Sequence, residues 1–282
     1  MGINKSAVKI FLRESLRQPF RGRLLTLGKQ DVFVREPELN RILREYGRPI
    51  EIARSLALSS KPELATSGFI SDVGLFSTVL GFEDIQSMDA SSYEGADFVH
   101  DLNTLPPPND LVGACDCIFD GGTVEHVFHL PNALANIHHM LKPGGRIIHI
   151  APSSNHIDHG FYMFSPTLFW DYYRANRYEI DVCEVFRYST DDLYNGDWLV
   201  SDYVSGGLHR VSMGGLDDAL YGVILVATKT ADSRCDVIPQ QGMYNDDLWK
   251  GKSANQITKR VEDILDPKFE GKGLGLKVKT RL

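Results

Sequence analysis

The stretch that decides the fold is CDCIFDGGTVEHVFHLPNALANIHHMLKPGGRIIHIAP, residues 115–152. It opens with a short apolar run, Cys115 to Phe119, that ends in Asp120 and a pair of glycines. That is the pattern of a buried strand meeting a turn. Leu130 to Leu141 predicts a helix, and Lys142-Pro143-Gly144-Gly145 stops it sharply. Arg146 to Pro152 is apolar again and predicts a second strand. Cys115 and Cys117 flank Asp116, so simple alternation puts both on one sheet face as small buried hydrophobes.

The same alternation continues on both sides. Upstream, RLLTLGKQDVFV (23–34) holds a first strand, Leu24 to Leu27, with Gly28 ending the run. DIQSMDAS (84–91) and ADFVHDLN (96–103) predict the second and third strands. Downstream, residues 179–189 and 220–229 predict the sixth and seventh. Helices are predicted over 5–17, 36–46, 72–80, 165–175 and 253–265. Strands alternating with helices argue for an α/β fold, a seven-stranded mainly parallel sheet with helices on both faces. The chain divides into an N-terminal helix packing on the core (1–22), a main domain (23–230) with an insertion at 189–219, and an extension (231–282). The end of the extension is basic, with Lys268, Lys272, Lys277, Lys279 and Arg281, and reads as a flexible tail or the arm of a homo-oligomer.

The totals exclude several classes. Among 282 residues the apolar fraction is 43% and the charged fraction 24%, ordinary for a soluble globular protein. A net charge of −7 leaves no footprint for nucleic acid. No apolar run approaches the roughly 20 residues of a membrane helix, and the first twenty residues lack a signal-peptide pattern. Four cysteines are too few for a disulfide scaffold at this size, so a cytoplasmic location is the default expectation. A dinucleotide oxidoreductase is excluded by the absence of the glycine pattern that a pyrophosphate needs.

Three predicted strands end in a carboxylate: Asp89, Asp101 and Asp120. Ligands of open α/β sheets bind outside the carboxyl ends of the strands. A carboxylate there can accept hydrogen bonds from two vicinal ribose hydroxyls.

Residues 115–152 resemble the fourth to fifth strands of class I S-adenosylmethionine-dependent methyltransferases, in particular the small-molecule enzymes of the type 11 and ubiquinone-biosynthesis kind. The likeness rests on Asp116, on Glu125-His126-Val127, and on Leu141-Lys142-Pro143-Gly144-Gly145 at the family's spacing, and it extends with less force over roughly residues 20–230. It implies a Rossmann-like sheet whose last strand is antiparallel, with S-adenosylmethionine as cofactor. It implies Asp89 on the ribose, Asp101 and Leu102 beside the adenine, and Asp120, Gly121 and Gly122 beside the methionine moiety and methyl group. The first turn departs from the family: of its three glycines only Gly28 is kept. Lys29 and Gln30 then stand where the methionine end of the cofactor would be held.

Methyl transfer from a sulfonium is a displacement that the protein mainly positions and desolvates, with a base for an oxygen or nitrogen acceptor. Seven of nine histidines fall between His126 and His159. His126 lies after the fourth strand; His156 and His159 lie after the fifth. These three are the candidate bases, while His138, His139 and His149 read as structural. His156-x-Asp158-His159 matches no standard zinc spacing, so no metal is expected. The resulting expectation is methyl transfer to a small-molecule acceptor, an oxygen of a sugar or secondary metabolite, with no nucleic-acid or membrane partner. The alternative is a binding or scaffold protein of this fold whose altered first turn no longer holds cofactor.

Overall fold

A computed structural model describes residues 2–49, 56–189, 196–208, 211, 213–244 and 278–282. The terminal helix expected over 253–265 and the lysines at 268, 272 and 277 lie outside the described residues.

Strand β1 (Arg23–Leu27) pairs in parallel with β2 (Asp84–Asp89) on one side and β4 (Cys115–Asp120) on the other. Beyond β2 lies β3 (Phe98–Val99). Beyond β4 lies β5 (Leu141–Pro152), again parallel. Strand β8 (Leu220–Thr228) is antiparallel to both its neighbours, β5 and β6 (Glu179–Tyr188). The antiparallel β8 is the reversed last strand that the resemblance implied. The sheet is larger than seven strands, because β7 (Leu199–Asp202) and β9 (Thr280–Arg281) extend the β6 edge. After β1 the chain builds outward through β2 and β3, then returns to the other side of β1 at β4. The carboxyl ends of β1 and β4 therefore flank the point where the winding reverses, the usual ligand crevice of such sheets.

Apolar side chains alternate between two cores. One face of the sheet carries Leu24, Phe119, Ile148 and Ile224 against helices α1 (Lys5–Arg17) and α2 (Glu36–Glu45). The other carries Leu25, Leu27, Ile118 and Ile147 against α4 (Leu130–Met140) and α5 (Pro166–Ala175), the short α3 (Pro62–Thr66) lying between α2 and β2 in sequence. Helix α1 is fastened to β6 by Arg13, which grips Glu184 at 2.8 Å, and by Arg17, 2.7 Å from Asp181; the buried Glu14 of the helix meets both arginines. Most aromatics of residues 161–173 pack inward as the helical pattern predicts: Phe164, Phe169, Tyr172 and Tyr173 are buried.

Four expectations are corrected. Cys115 and Cys117 face opposite cores, because the pairing of β4 with β5 shifts register between them. The irregularity sets two steps along β4, Cys115 to Cys117, against five along β5, Leu141 to Arg146, and Asp116 within it accepts from Arg23 N at 2.8 Å and Lys142 Nζ at 2.6 Å. Residues 74–79 form a π-helical turn rather than an α-helix. The third strand, expected over 96–103, is cut to two residues, since the chain after Val99 is drawn off to α4. The extreme tail is not loose: residues 280–281 pair with β7, and Leu282 is buried, exchanging backbone hydrogen bonds with Trp198.

Candidate functional site

The turn after β1 comes first. Gly28 has φ +75°, a left-handed conformation that suits glycine, and a Cβ there would stand 3.0 Å from Thr123 Oγ1. Thr123 in turn donates to Leu27 O at 2.7 Å. Gln30, where the family pattern has a glycine, folds back under the turn and is buried. Its Nε2 donates to Leu27 O at 3.2 Å and Gly28 O at 3.3 Å, and its Oε1 has no hydrogen-bond partner among the described residues. That oxygen faces Gly121, close to where a Cβ would be.

A cavity of 380 Å³ opens above this turn. Gly28, Lys29, Asp89, Asp101, Leu102 and Gly122 line it, which brings six of the nine sequence-predicted cofactor residues together, and Gln30 makes a seventh. Asp89 Oδ1 accepts from Ser91 N at 3.2 Å. Asp101 Oδ1 accepts from the Asn103 backbone and side chain at 2.9 and 2.7 Å, which holds its carboxyl below the usual range. The loop after β3 is tied to α4: Asn136 Nδ2 donates to Leu102 O and Thr104 O, and Asn132 Nδ2 to Asn103 O.

Asp120 and Gly121 are placed differently. Asp120 is wholly buried; its Oδ1 accepts the backbone amides of Thr123 and Val124, and its Oδ2 meets His149 Nδ1 at 2.6 Å. His149 Nε2 continues to Tyr173 Oη at 2.7 Å. Asp120 thus shapes the loop from beneath, and His149 is structural, as expected. Gly121 lies against the Phe119 ring, where a Cβ would stand 2.6 Å from Cζ.

A second cavity, of 540 Å³, adjoins the first and shares Lys29 and Glu94 with it. Asp31, Phe33, His156, His159 and Trp198 contribute to its wall. The predicted histidines divide between the two: His126 lines the inner cavity, and His156 and His159 line the outer one. His156 is nearly buried, with Nε2 3.2 Å from Tyr188 Oη and a further backbone hydrogen bond at Tyr221; burial lowers its pKa. Among the described residues the donor atoms that converge are those of Glu125, His126 and His159, not the His156-Asp158-His159 set. Phe161 packs edge-on against Phe128, and Tyr162 Oη donates to Phe128 O at 2.7 Å. His209 of the insertion lies outside the described residues. A more apolar cavity of 410 Å³, between α4, α5 and residues 235–241, is lined by none of the turn's residues.

Glu125 is the residue that the sequence reading quoted in a motif but left out of the site. Its side chain is wholly buried beside His126 of the inner cavity and His159 of the outer one, and neither carboxylate oxygen has a hydrogen-bond partner among the described residues. Burial, and then the charge of Asp120, push its pKa up to about 8. His159 Nε2 stands 3.6 Å from Glu125 Oε1, and His126 Nε2 3.9 Å from the same oxygen. Burial and the neighbouring His159 lower the His126 pKa. The loop bearing His159 is seated on Glu125: Tyr162 N donates to Glu125 O at 3.2 Å, and a Cβ at Gly160 would stand 2.9 Å from that carbonyl. The signal was present in sequence as Glu-His after β4, but its partner 34 positions on could be found only in space.

No family model and no curated protein matches the chain. Solved structures do. An S-adenosylmethionine-dependent methyltransferase from Archaeoglobus fulgidus is 14% identical, with a TM-score of 0.41, over 80% of this chain and 94% of that one. The 1,6-didemethyltoxoflavin-N1-methyltransferase of Burkholderia thailandensis, with bound 1,6-didemethyltoxoflavin and S-adenosylhomocysteine, is 14% identical at a TM-score of 0.39, over 80% and 78%. Geranyl diphosphate C-methyltransferase from Streptomyces coelicolor A3(2) is 16% identical at a TM-score of 0.37, over 80% and 77%.

Proposed function

We propose that this chain binds S-adenosylmethionine above the β1 turn and transfers its methyl group to an oxygen of a small molecule held in the outer cavity. The observation that carries the reading is the pair of adjoining cavities at the winding reversal, with carboxylates in the inner one and imidazoles at the junction. The residues fit the cofactor. Asp89 Oδ2 accepts no hydrogen bond among the described residues and is available to ribose hydroxyls. Asp101 and Leu102 would hold the adenine. Gln30 Oε1, with no hydrogen-bond partner among the described residues, suits the ammonium of the methionine moiety, Lys29 suits its carboxylate, and Gly28 and Gly122 let the backbone approach.

When bound, the cofactor supplies a methyl group on a readily leaving sulfonium. The chain's own residues position the acceptor, exclude water and take a proton. His126 and His159 stand at the junction of the cavities, and the lowered pKa keeps His126 a free base at neutral pH. Glu125, with its pKa pushed up to about 8, is largely protonated there and does not hold His126 as a cation. A wall that mixes Lys29, Asp31 and Glu94 with Phe33 and Trp198 suits a hydroxylated molecule with an apolar face, such as a sugar or secondary metabolite.

One observation favours the second reading, a binding or scaffold protein: the Gln30 carboxamide already occupies the two turn carbonyls. Calorimetric titration with S-adenosylmethionine and S-adenosylhomocysteine separates the two. Binding by the wild-type chain supports the enzyme. No heat and no thermal shift with either compound, together with binding restored in Gln30→Gly, would establish the scaffold.

A further inference from the structure

We propose that Glu125, His126 and His159 form a binding site for a divalent transition-metal ion of the zinc or manganese kind. The proposal rests on these three side chains and not on the cofactor reading. One carboxylate oxygen and one ring nitrogen from each histidine all lie within 4.8 Å of one another. Ligand bonds of about 2.1 Å in tetrahedral array separate donor atoms by about 3.4 Å. The two Glu–His separations, 3.6 and 3.9 Å, are within a few tenths of an ångström of that spacing. The imidazoles can supply the rest of the contraction, since their side chains are 42% and 49% exposed and free to turn inward.

An independent observation points the same way. Glu125 is wholly buried, yet among the described residues neither of its oxygens has a hydrogen-bond partner, and the polar group acting on its carboxyl from nearby is its own backbone amide. Buried polar atoms are satisfied in the great majority of cases, and an exception asks for a ligand. The carboxylate cannot turn away to water. Gly160 closes on its backbone and Cγ, at 2.9 and 3.1 Å from where a Cβ would be. A cation at the junction would satisfy one or both oxygens and accept lone pairs from two neutral imidazoles.

The donor set selects the ion. Two imidazoles and one carboxylate suit zinc, manganese or iron(II), and disfavour calcium and magnesium, which take oxygen ligands. Three protein donors leave coordination positions open toward the cavities, the arrangement of a site that also binds substrate rather than a purely structural one. His126 lines the inner cavity and His159 the outer, so those open positions face the place where an acceptor would be presented. In a metal-loaded protein both imidazoles are ligands, so their role as bases belongs to the metal-free form.

The test is a titration of the chelator-dialysed, full-length protein with zinc chloride and with manganese chloride, followed by calorimetry. Cobalt(II) chloride serves as a spectroscopic probe of mixed nitrogen and oxygen ligation. One ion per chain is expected. Glu125→Gln, His126→Ala and His159→Ala should each weaken binding on the order of 100-fold, while His129→Asn, an exposed histidine of the same loop, changes it less than about threefold. Circular dichroism melts show whether each variant is folded, and Glu125→Gln conserves shape. Wild-type protein that binds no ion, or that binds equally well as Glu125→Gln, overturns the proposal. S-adenosylhomocysteine binding by the metal-free protein reports on the cofactor reading separately.

Discussion

His149 Nδ1 stands 2.6 Å from Asp120 Oδ2, with neither side chain exposed to solvent. The pair lies under the loop that carries Glu125 and His126, and the same carboxylate caps two amides of that loop. Removing one partner of a buried charged or hydrogen-bonded pair strands the other. Asp120→Ala is expected to cost about 3–5 kcal/mol in a urea melt. Asp120→Asn keeps an acceptor for the capping amides and should cost markedly less. Equal losses would mean that the capping bonds contribute little.

Gly160 has no room for a side chain against Glu125. Gly160→Ala must push the His159 loop away or displace the Glu125 carbonyl. Overpacking of this kind costs about 1–3 kcal/mol, read as a shift of the urea midpoint. Gly160 does not line the inner cavity, so if the His159 loop is what gives way, S-adenosylhomocysteine affinity should change less than about threefold. A large loss of affinity would show that the loop also closes over the cofactor.

Asp89 is the carboxylate assigned to the ribose. Asp89→Ala is expected to weaken S-adenosylhomocysteine binding by about 10–100-fold, since a charged acceptor for two hydroxyls is worth about 1.5–3 kcal/mol. Unchanged affinity in calorimetry would refute the assignment.

His138 offers a pH test away from the site. Burial first, and then the Lys229 charge, lower its pKa to about 4. In the unfolded chain it titrates near its ordinary value of about 6.5. Between these values the unfolded state binds the extra proton, so stability is complete above about pH 6.5 and falls as pH drops toward 4. The loss should be of the order of 1 kcal/mol, because the half-buried ring is partly screened. Comparing urea midpoints of wild type and His138→Asn isolates this group. Glu125 acts in the opposite sense: its raised pKa makes its contribution fall as pH rises from about 4.5 to about 8.

Much of the sheet was legible because strand and helix leave different periods in the chain. Residues 115–152 marked a strand, a helix and a second strand, and the helix over 130–140 and the strand through Pro152 stand where the pattern put them. Alternation failed at Cys115 and Cys117, where pairing with β5 slips and no local pattern records it. The edge strand β9 was missed because its partner β7 lies inside the predicted insertion.

For the site, the linear order of residues determined which carboxylates and glycines meet at the ends of the strands, since strand ends are local events. Asp89, Asp101, Leu102, Gly28 and Gly122 reach one cavity for that reason. Only the tertiary structure decided the rest. It put Asp120 beneath the loop rather than in the cavity, because His149 from the neighbouring strand competes for its carboxylate. It turned the Gln30 carboxamide back onto the carbonyls of Leu27 and Gly28 while leaving the residue in the cavity lining. It also brought His159 over Glu125 and buried there a carboxylate with no hydrogen-bond partner among the described residues, a juxtaposition across 34 residues that depends on how two loops pack.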